Sequence, residues 1–290
     1  MIITGDETMT LSDIAEKSGL NEEERILFDE YTKNRFEGAE EITTPDTSFL
    51  TLWERIVLYA EMYGADRAVN DKICPKRPVS FNSPGTLSMK MYDSAAGRIP
   101  VIYVRDTDDF EQLVTNVAYR GVRPESISQT GASFIHGAKT RLIILSAKPY
   151  SNVPANELGL EDENDWAERS LILRQDHECT HYFTRQTYGI TNNILHDEIM
   201  ADLIGMYEAF GFYRAEWFLR FMGIIPGSGN RSEVYTKGLP ENVCRAVHEL
   251  AVLSANGLER WSEGDGFKKM TKPERIKFMC KAGLEGFINL

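Results

Sequence analysis

Apolar residues recur at helical spacing over residues 50–69, among them Leu52, Trp53, Ile56 and Tyr59, and this periodicity predicts a long amphipathic helix. The texture changes at Cys74. Short apolar runs punctuated by Pro and Gly, at 79–81, 86–92 and 99–104, predict strands of one sheet. Residues 107–119 return to a helical pattern with Thr107 as its N-cap. A Gly/Ser-rich loop is expected over 121–140, then a compact β-type run, Arg141–Ser146, and a further loop through Pro154. From about 165 to 185 the pattern is helical again, and helices are expected at 197–209, 212–223, 240–255 and 273–288. Helices, then a sheet with an intervening helix, then helices only, is the element order of an α+β protein in two lobes.

Ahead of this body, residues 10–36 read as two short helices. Thr10 and Asn21 are candidate N-caps, and Glu24, three residues after Asn21, completes a capping-box pattern. A polar linker at 43–48, containing Pro45, follows. The expected organisation is therefore an acidic helical segment, 1–46, and one domain, 47–290. Within that domain the sheet lobe covers about 74–160, the active-site helix about 165–185 and the helical lobe about 195–290.

Charge bears mainly on partners. The chain of 290 residues has a formal net charge of −12, and its first 46 residues hold 13 Asp/Glu against 4 Lys/Arg. Such a surface repels polyanions and offers no counterion-release term, so neither nucleic acid nor an anionic membrane is expected as a partner. The opening hairpin has the look of a helix-turn-helix, but its second helix starts Glu22-Glu23-Glu24, the wrong sign for phosphates. A packed or solvated hairpin is the expectation. The most apolar stretch, 199–225, is interrupted by Asp202, Glu208, Arg214, Glu216 and Arg220, which argues against a membrane span. Cys74, Cys179, Cys244 and Cys280 lie far apart with no CxxC pairing. Reduced thiols and a cytoplasmic address are expected, with no basic and apolar leader at the start.

The chemistry is concentrated in His177-Glu178-Cys179-Thr180-His181. Histidines four apart share one face of a helix and can chelate one ion, while Glu178, one position round, is placed to accept a proton from a water activated by the metal. A catalytic zinc needs a third protein ligand from another element. Sixteen residues separate His181 from Glu198, room for a turn at Gly189 and an antiparallel helix that presents Glu198. Asp202, four residues on, can hydrogen-bond a ligand histidine and fix its tautomer. His196 is the competing third ligand; it precedes the expected helix and lacks the supporting carboxylate that Glu198 has. Cys179, two after His177, points nearly opposite and reads as a buried thiol. Among possible oxyanion donors, Tyr188, Tyr182, His136, Arg185 and Tyr150 fall in the right region, with Tyr188 the first choice.

With its HExxH at 177–181 and its ExxxD at Glu198-Ile199-Met200-Ala201-Asp202, the sequence resembles the gluzincin branch of the zincin metallopeptidases, over roughly residues 165–210. The resemblance implies a zincin-like two-lobed fold with one Zn2+ per chain. His177, His181 and Glu198 would be the ligands, Glu178 the general base and Asp202 the support. It implies a zinc-dependent hydrolase, a metallopeptidase, acting on a peptide or related amide. The alternative is a non-catalytic zinc-binding protein with a structural or partner-recognition role, whose mark would be a fourth protein ligand. If the substrate is a peptide it can pair with an exposed strand edge, and Arg141–Ser146 is the expected edge.

Overall fold

The computed structural model describes residues 8–137, 141–191 and 194–290. Two helices, α1 (Leu11–Lys17) and α2 (Glu22–Thr32), open it, each started by a full capping box: Thr10 with Asp13, and Asn21 with Glu24. Reciprocal side-chain bonds satisfy backbone donors that the first turn leaves open. Both helices pack on α10 (Glu241–Glu263), burying Ile14, Ala15 and Phe28. The hairpin is thus part of the helical core; residues 1–7 of the acidic segment lie outside the described residues.

The helix expected over 50–69 is divided: α3 (Leu50–Tyr63) stops at Gly64, whose φ of +100° breaks it, and α4 (Ala65–Ala68) follows. The expected strand at 79–81 is a loop, because its backbone is bonded to side chains. Asn70 pairs with both N and O of Val79, and the Asp109 carboxylate accepts from the N–H groups of Asn82 and Ser83.

Four strands form one sheet in the order β1-β2-β4-β3: β1 (Ser88–Ser94), β2 (Gly97–Val104), β3 (Ala132–His136) and β4 (Arg141–Ser146). β1 and β2 pair antiparallel, β2 and β4 parallel, with Val101 opposite Ile143, and β3 and β4 antiparallel, with Phe134 opposite Ile143. Helix α5 (Thr107–Val117), capped by Asp106 rather than by Thr107, lies between β2 and β3 in the chain. Arg141–Ser146 is therefore a central strand and not the edge expected from sequence. Leu142 to Leu145 are all fully buried, as a strand covered on both faces requires. The edges are β1 and β3, and β3 is a half-buried strand inside the segment expected to be loop.

Helix α6 (Glu163–Tyr188) separates two hydrophobic clusters. Leu171, Cys179 and Tyr182 pack with the sheet, α3 and α5, whereas Trp166, Leu173 and Phe183 pack with α7 (Leu195–Phe210), α8 (Ala215–Met222), α10 and α12 (Lys272–Ile288). The short helices α9 (Ser232–Tyr235) and α11 (Asp265–Lys269) complete the described set. The fold is α+β, with the sheet early in the chain and helices on either side of it in sequence. Among the described residues no helix is long and apolar enough to cross a membrane, and the four cysteines are free thiols.

Candidate metal centre

Two helices set the geometry. α6 begins at Asp162, whose carboxylate caps Asn164 and Asp165, and ends at Gly189, left-handed at φ +71°. The chain then turns back into α7. The two helices make a close approach at Gly205, where a Cβ would fall 2.5 Å from the Leu173 carbonyl oxygen. Only glycine allows that approach, and it seats the second half of α7 against the middle of α6 at Leu173.

His177 and His181, one turn apart on α6, bring their Nε2 atoms to 3.1 Å from each other. From α7, Glu198 places Oε2 3.6 Å from His177 Nε2 and Oε1 3.6 Å from His181 Nε2. All three side chains are buried. Zinc with ligands at about 2.0–2.2 Å in tetrahedral geometry sets neighbouring ligand atoms about 3.4 Å apart. The Nε2 pair lies slightly inside that value and each Nε2 slightly outside it from its nearer Glu198 oxygen, and one atom from each residue can be chosen with all three within 4.8 Å, close enough to surround one such ion. Among the described residues, the cluster of His, Cys, Asp and Glu donors has these three members.

The surrounding shell orients the donors. His177 Nδ1 lies 2.7 Å from Asp202 Oδ1 and 2.9 Å from the Tyr150 hydroxyl, which itself donates to Asp202. With Nδ1 carrying the proton toward the carboxylate, Nε2 is left with its lone pair. Arg231, just ahead of α9, spans the two carboxylates of α7: Nη1 reaches Asp202 Oδ2 at 2.8 Å and Nη2 bonds Glu198 Oε2. Tyr235 donates to the same Oε2 at 2.8 Å. Glu198 Oε2 is thus engaged twice, and Oε1 is its oxygen toward His181.

These contacts decide the protonation states. Burial alone would raise the Asp202 carboxyl, but Arg231 and the His177 hydrogen bond outweigh it and hold the group at about 2. Glu198 is likewise lowered: Arg231 and the two histidines overcome burial. Burial, helped by the neighbouring His177, draws His181 down to about 4, so its imidazole is neutral at pH 7. His177 moves the other way, because Asp202 more than offsets desolvation. Glu178 is raised, mainly by burial and next by Glu198 among the charges that raise it, which makes it a better proton acceptor than an ordinary carboxylate.

Glu178 is half-buried and lines two adjoining openings. One, of about 270 Å³, is walled by residues 129–132, Tyr150, Arg174 and Arg231; the other, of about 280 Å³, by Phe134, His136, His181 and Glu198. Alternate residues of the edge strand β3, Ala132, Phe134 and His136, run along this cleft. Tyr235 borders both openings.

Four of the residues singled out in the sequence, His177, His181, Glu198 and Asp202, come together here, with Glu178 beside them. His196 does not. It lies on the opposite side of α7, bonded through Nε2 to the Met279 carbonyl at 3.1 Å and packed edge-on by Phe36 and Phe287. Tyr188 is also elsewhere: in the last turn of α6, against Phe36, its ring belongs to the helical core. Tyr182 points to the sheet side, near the Arg98 carbonyl. Cys179 is buried on the sheet side, although Ile172, expected in the same stripe, is exposed. Arg231 and Tyr235 were not visible in the sequence, since they arrive from a loop about thirty residues beyond Asp202 with no periodic relation to it. Arg174 could have been noticed, lying one turn ahead of Glu178.

Comparison with known proteins places the chain in a family and no further. It belongs to a family of unknown function, DUF7005, whose profile matches residues 68–141 and 138–288, more than half of the chain. No curated protein and no solved structure matches it.

Proposed function

We propose that this chain is a zincin-like, metal-dependent hydrolase that cleaves a peptide or related amide bond. The observation that carries the reading is the convergence of His177 Nε2, His181 Nε2 and Glu198 at ligand spacing, with the Glu178 carboxylate beside them on an open cleft. A three-donor set with room for water suits a catalytic zinc better than a closed structural one. When bound, the metal would supply Lewis acidity, making a water more acidic and polarising the substrate carbonyl.

The rest of the chemistry belongs to the protein. Glu178, with its raised proton affinity, takes a proton from the attacking water and delivers it to the leaving nitrogen. Asp202 and Tyr150 keep His177 in one orientation and one tautomer. Tyr235 borders both openings, in place of Tyr188, but its one hydroxyl proton is held by Glu198, so it would serve a developing oxyanion only by turning from that carboxylate. An extended substrate would lie along β3, pairing with its edge and setting alternate side chains into the two openings.

A second reading has one observation in its favour. Arg231 already pairs with both Glu198 and Asp202, offsetting one of their two charges, so the cluster is in part satisfied as a buried polar network would be. One experiment separates the two. Elemental analysis of untagged protein should find about one zinc per chain, and Glu178→Gln should retain it while losing roughly a thousandfold or more in hydrolysis of a peptide library. Folded protein that takes up no zinc would leave the second reading standing; an unchanged rate in Glu178→Gln would remove the glutamate from its role.

A further inference from the structure

The wall of the cleft next to Glu178 contains a cation that the proposed chemistry does not use. Arg174 is 3% exposed and lines the 270 Å³ opening together with Gly131, Asn152 and Glu178. Its guanidinium donates through Nη1 to the carbonyls of Ser146 (2.9 Å) and Lys148, and through Nη2 to that of Pro149 (2.8 Å). A guanidinium has five N–H donors. Three are engaged; Nε–H and the second hydrogen of Nη2 have no acceptor among the described residues. No carboxylate of the described residues lies within ion-pair distance of it, whereas Arg231 beside it holds two. Buried cations are ordinarily paired.

The unengaged edge has a defined neighbour. A Cβ built on Gly131 would stand 2.6 Å from Arg174 Nε and 2.8 Å from Nη2, closer to both than to Cζ at 3.0 Å. Any side chain at 131 would therefore occupy the edge of the fork, and glycine keeps it clear. Burial draws the guanidinium down to about 10, leaving it cationic at neutral pH.

Resting on the hydrolase reading for its context, we infer that Arg174, with the space kept by Gly131, is a carboxylate-binding subsite that selects substrates carrying a free carboxylate beside the scissile bond. Two donors on one edge of a planar fork match the two oxygens of a carboxylate. The net charge of −12 gives an anionic peptide no long-range attraction to this chain; a buried, desolvated cation acts at contact distance and so confers choice between substrates rather than faster encounter. The carboxylate is either the C-terminus of a peptide or an Asp/Glu side chain, and three probes separate these sources.

The test is calorimetric titration of N-acetyl-alanyl-alanine, its C-terminal amide, and N-acetyl-glutamyl-alanine amide into the full chain stripped of metal, so that no metal–carboxylate bond contributes. Tighter binding by at least tenfold of the free acid over its amide assigns the subsite to a peptide C-terminus; the same advantage for the glutamyl amide over the alanyl amide assigns it to an acidic side chain. Either preference should disappear in Gly131→Ala, whose Cβ would stand within 3.0 Å of the fork and so displaces it from its edge geometry, with thermal unfolding showing that the variant is folded. Arg174→Lys should keep only part of the preference. Equal binding of all three probes, or a preference unchanged in Gly131→Ala, overturns the inference. Because the readout is binding without metal, it can fail while peptide hydrolysis is found, and succeed while hydrolysis is not.

Discussion

Helix α7 presents two histidine-or-carboxylate sites two residues apart, and they could hardly differ more. His196 and Glu198 are equally buried, at 2% and 3% exposure. On the His196 side the fold itself completes the environment: one carbonyl accepts from the ring, and two phenylalanines pack against it edge-on. On the Glu198 side, two Nε2 atoms 3.1 Å apart each face one oxygen of the Glu198 carboxylate at 3.6 Å, and the far sides of His177 and Glu198 are tied back to Asp202, Tyr150, Arg231 and Tyr235. Burial alone therefore says little about purpose. What separates a core histidine from a ligand is where the lone pair points, toward a protein donor or toward other lone pairs.

The widest contrast comes from substituting one histidine on each side. His181→Ala should weaken zinc binding by about a thousandfold or more, roughly 4 kcal/mol, as expected when one of three ligands is lost from a site of the usual zinc affinity. His196→Ala should leave zinc affinity within about threefold and instead lower stability by about 2 kcal/mol through a cavity and an unpaired carbonyl. Competition against a chromogenic chelator, run beside urea unfolding, reads both. Equal zinc loss in the two variants would abolish the distinction.

Arg231 sharpens the comparison from the other direction, since it serves as the resident counter-charge of the ligand side. In Arg231→Met two buried carboxylates lose their partner, and the metal-free chain should be destabilised by about 3 kcal/mol. Zinc should then raise the melting temperature more in the variant than in wild type, because a dication takes over the charge. A variant as stable as wild type without metal would mean that the carboxylates draw their stabilisation from elsewhere.

Which of these features the sequence could disclose follows from locality. His177, Glu178 and His181 are legible because helical spacing fixes their relative positions, and the same rule links Glu198 to Asp202 once α7 is recognised. The α+β order is legible from the change in period along the chain. The position of β4 was legible too, since a run such as Leu142-Ile143-Ile144-Leu145 with no polar alternation belongs to a strand covered on both faces, not to an edge. β3 was not, because a five-residue strand of half-buried residues in a Gly/Ser-rich stretch carries little pattern. Arg231 and Tyr235 come from a separate loop and short helix, so only tertiary structure brings them to Glu198.

Asp202 touches the ligands directly only at His177 and reaches Glu198 through Arg231, so its effect should be smaller. Asp202→Asn keeps an acceptor for Nδ1–H but removes the charge, and zinc affinity should fall by about 10–100-fold. The same chelator competition measures it. An affinity equal to wild type would make the carboxylate a partner of Arg231 only.

The smallest expected effect isolates the core side by pH. Burial depresses the His196 imidazole to about 4, against about 6.5 in an unfolded chain. Below pH 6.5 the unfolded chain therefore takes up a proton that the folded chain refuses. The contribution of a neutral buried ring is complete above that value and is lost progressively as the pH falls toward 4. Between pH 7.5 and 5.5 this amounts to about 1 kcal/mol. His181, drawn down in the same way, adds a parallel loss in the metal-free chain, while the raised affinity of His177 opposes it. Subtraction removes both: His196→Gln keeps a donor for the Met279 carbonyl and nothing that titrates, so its stability should fall less than that of wild type by about 1 kcal/mol over this range. Urea unfolding of metal-free protein at the two pH values supplies the difference, and parallel losses would show that His196 is protonated in the folded chain as readily as in the unfolded one.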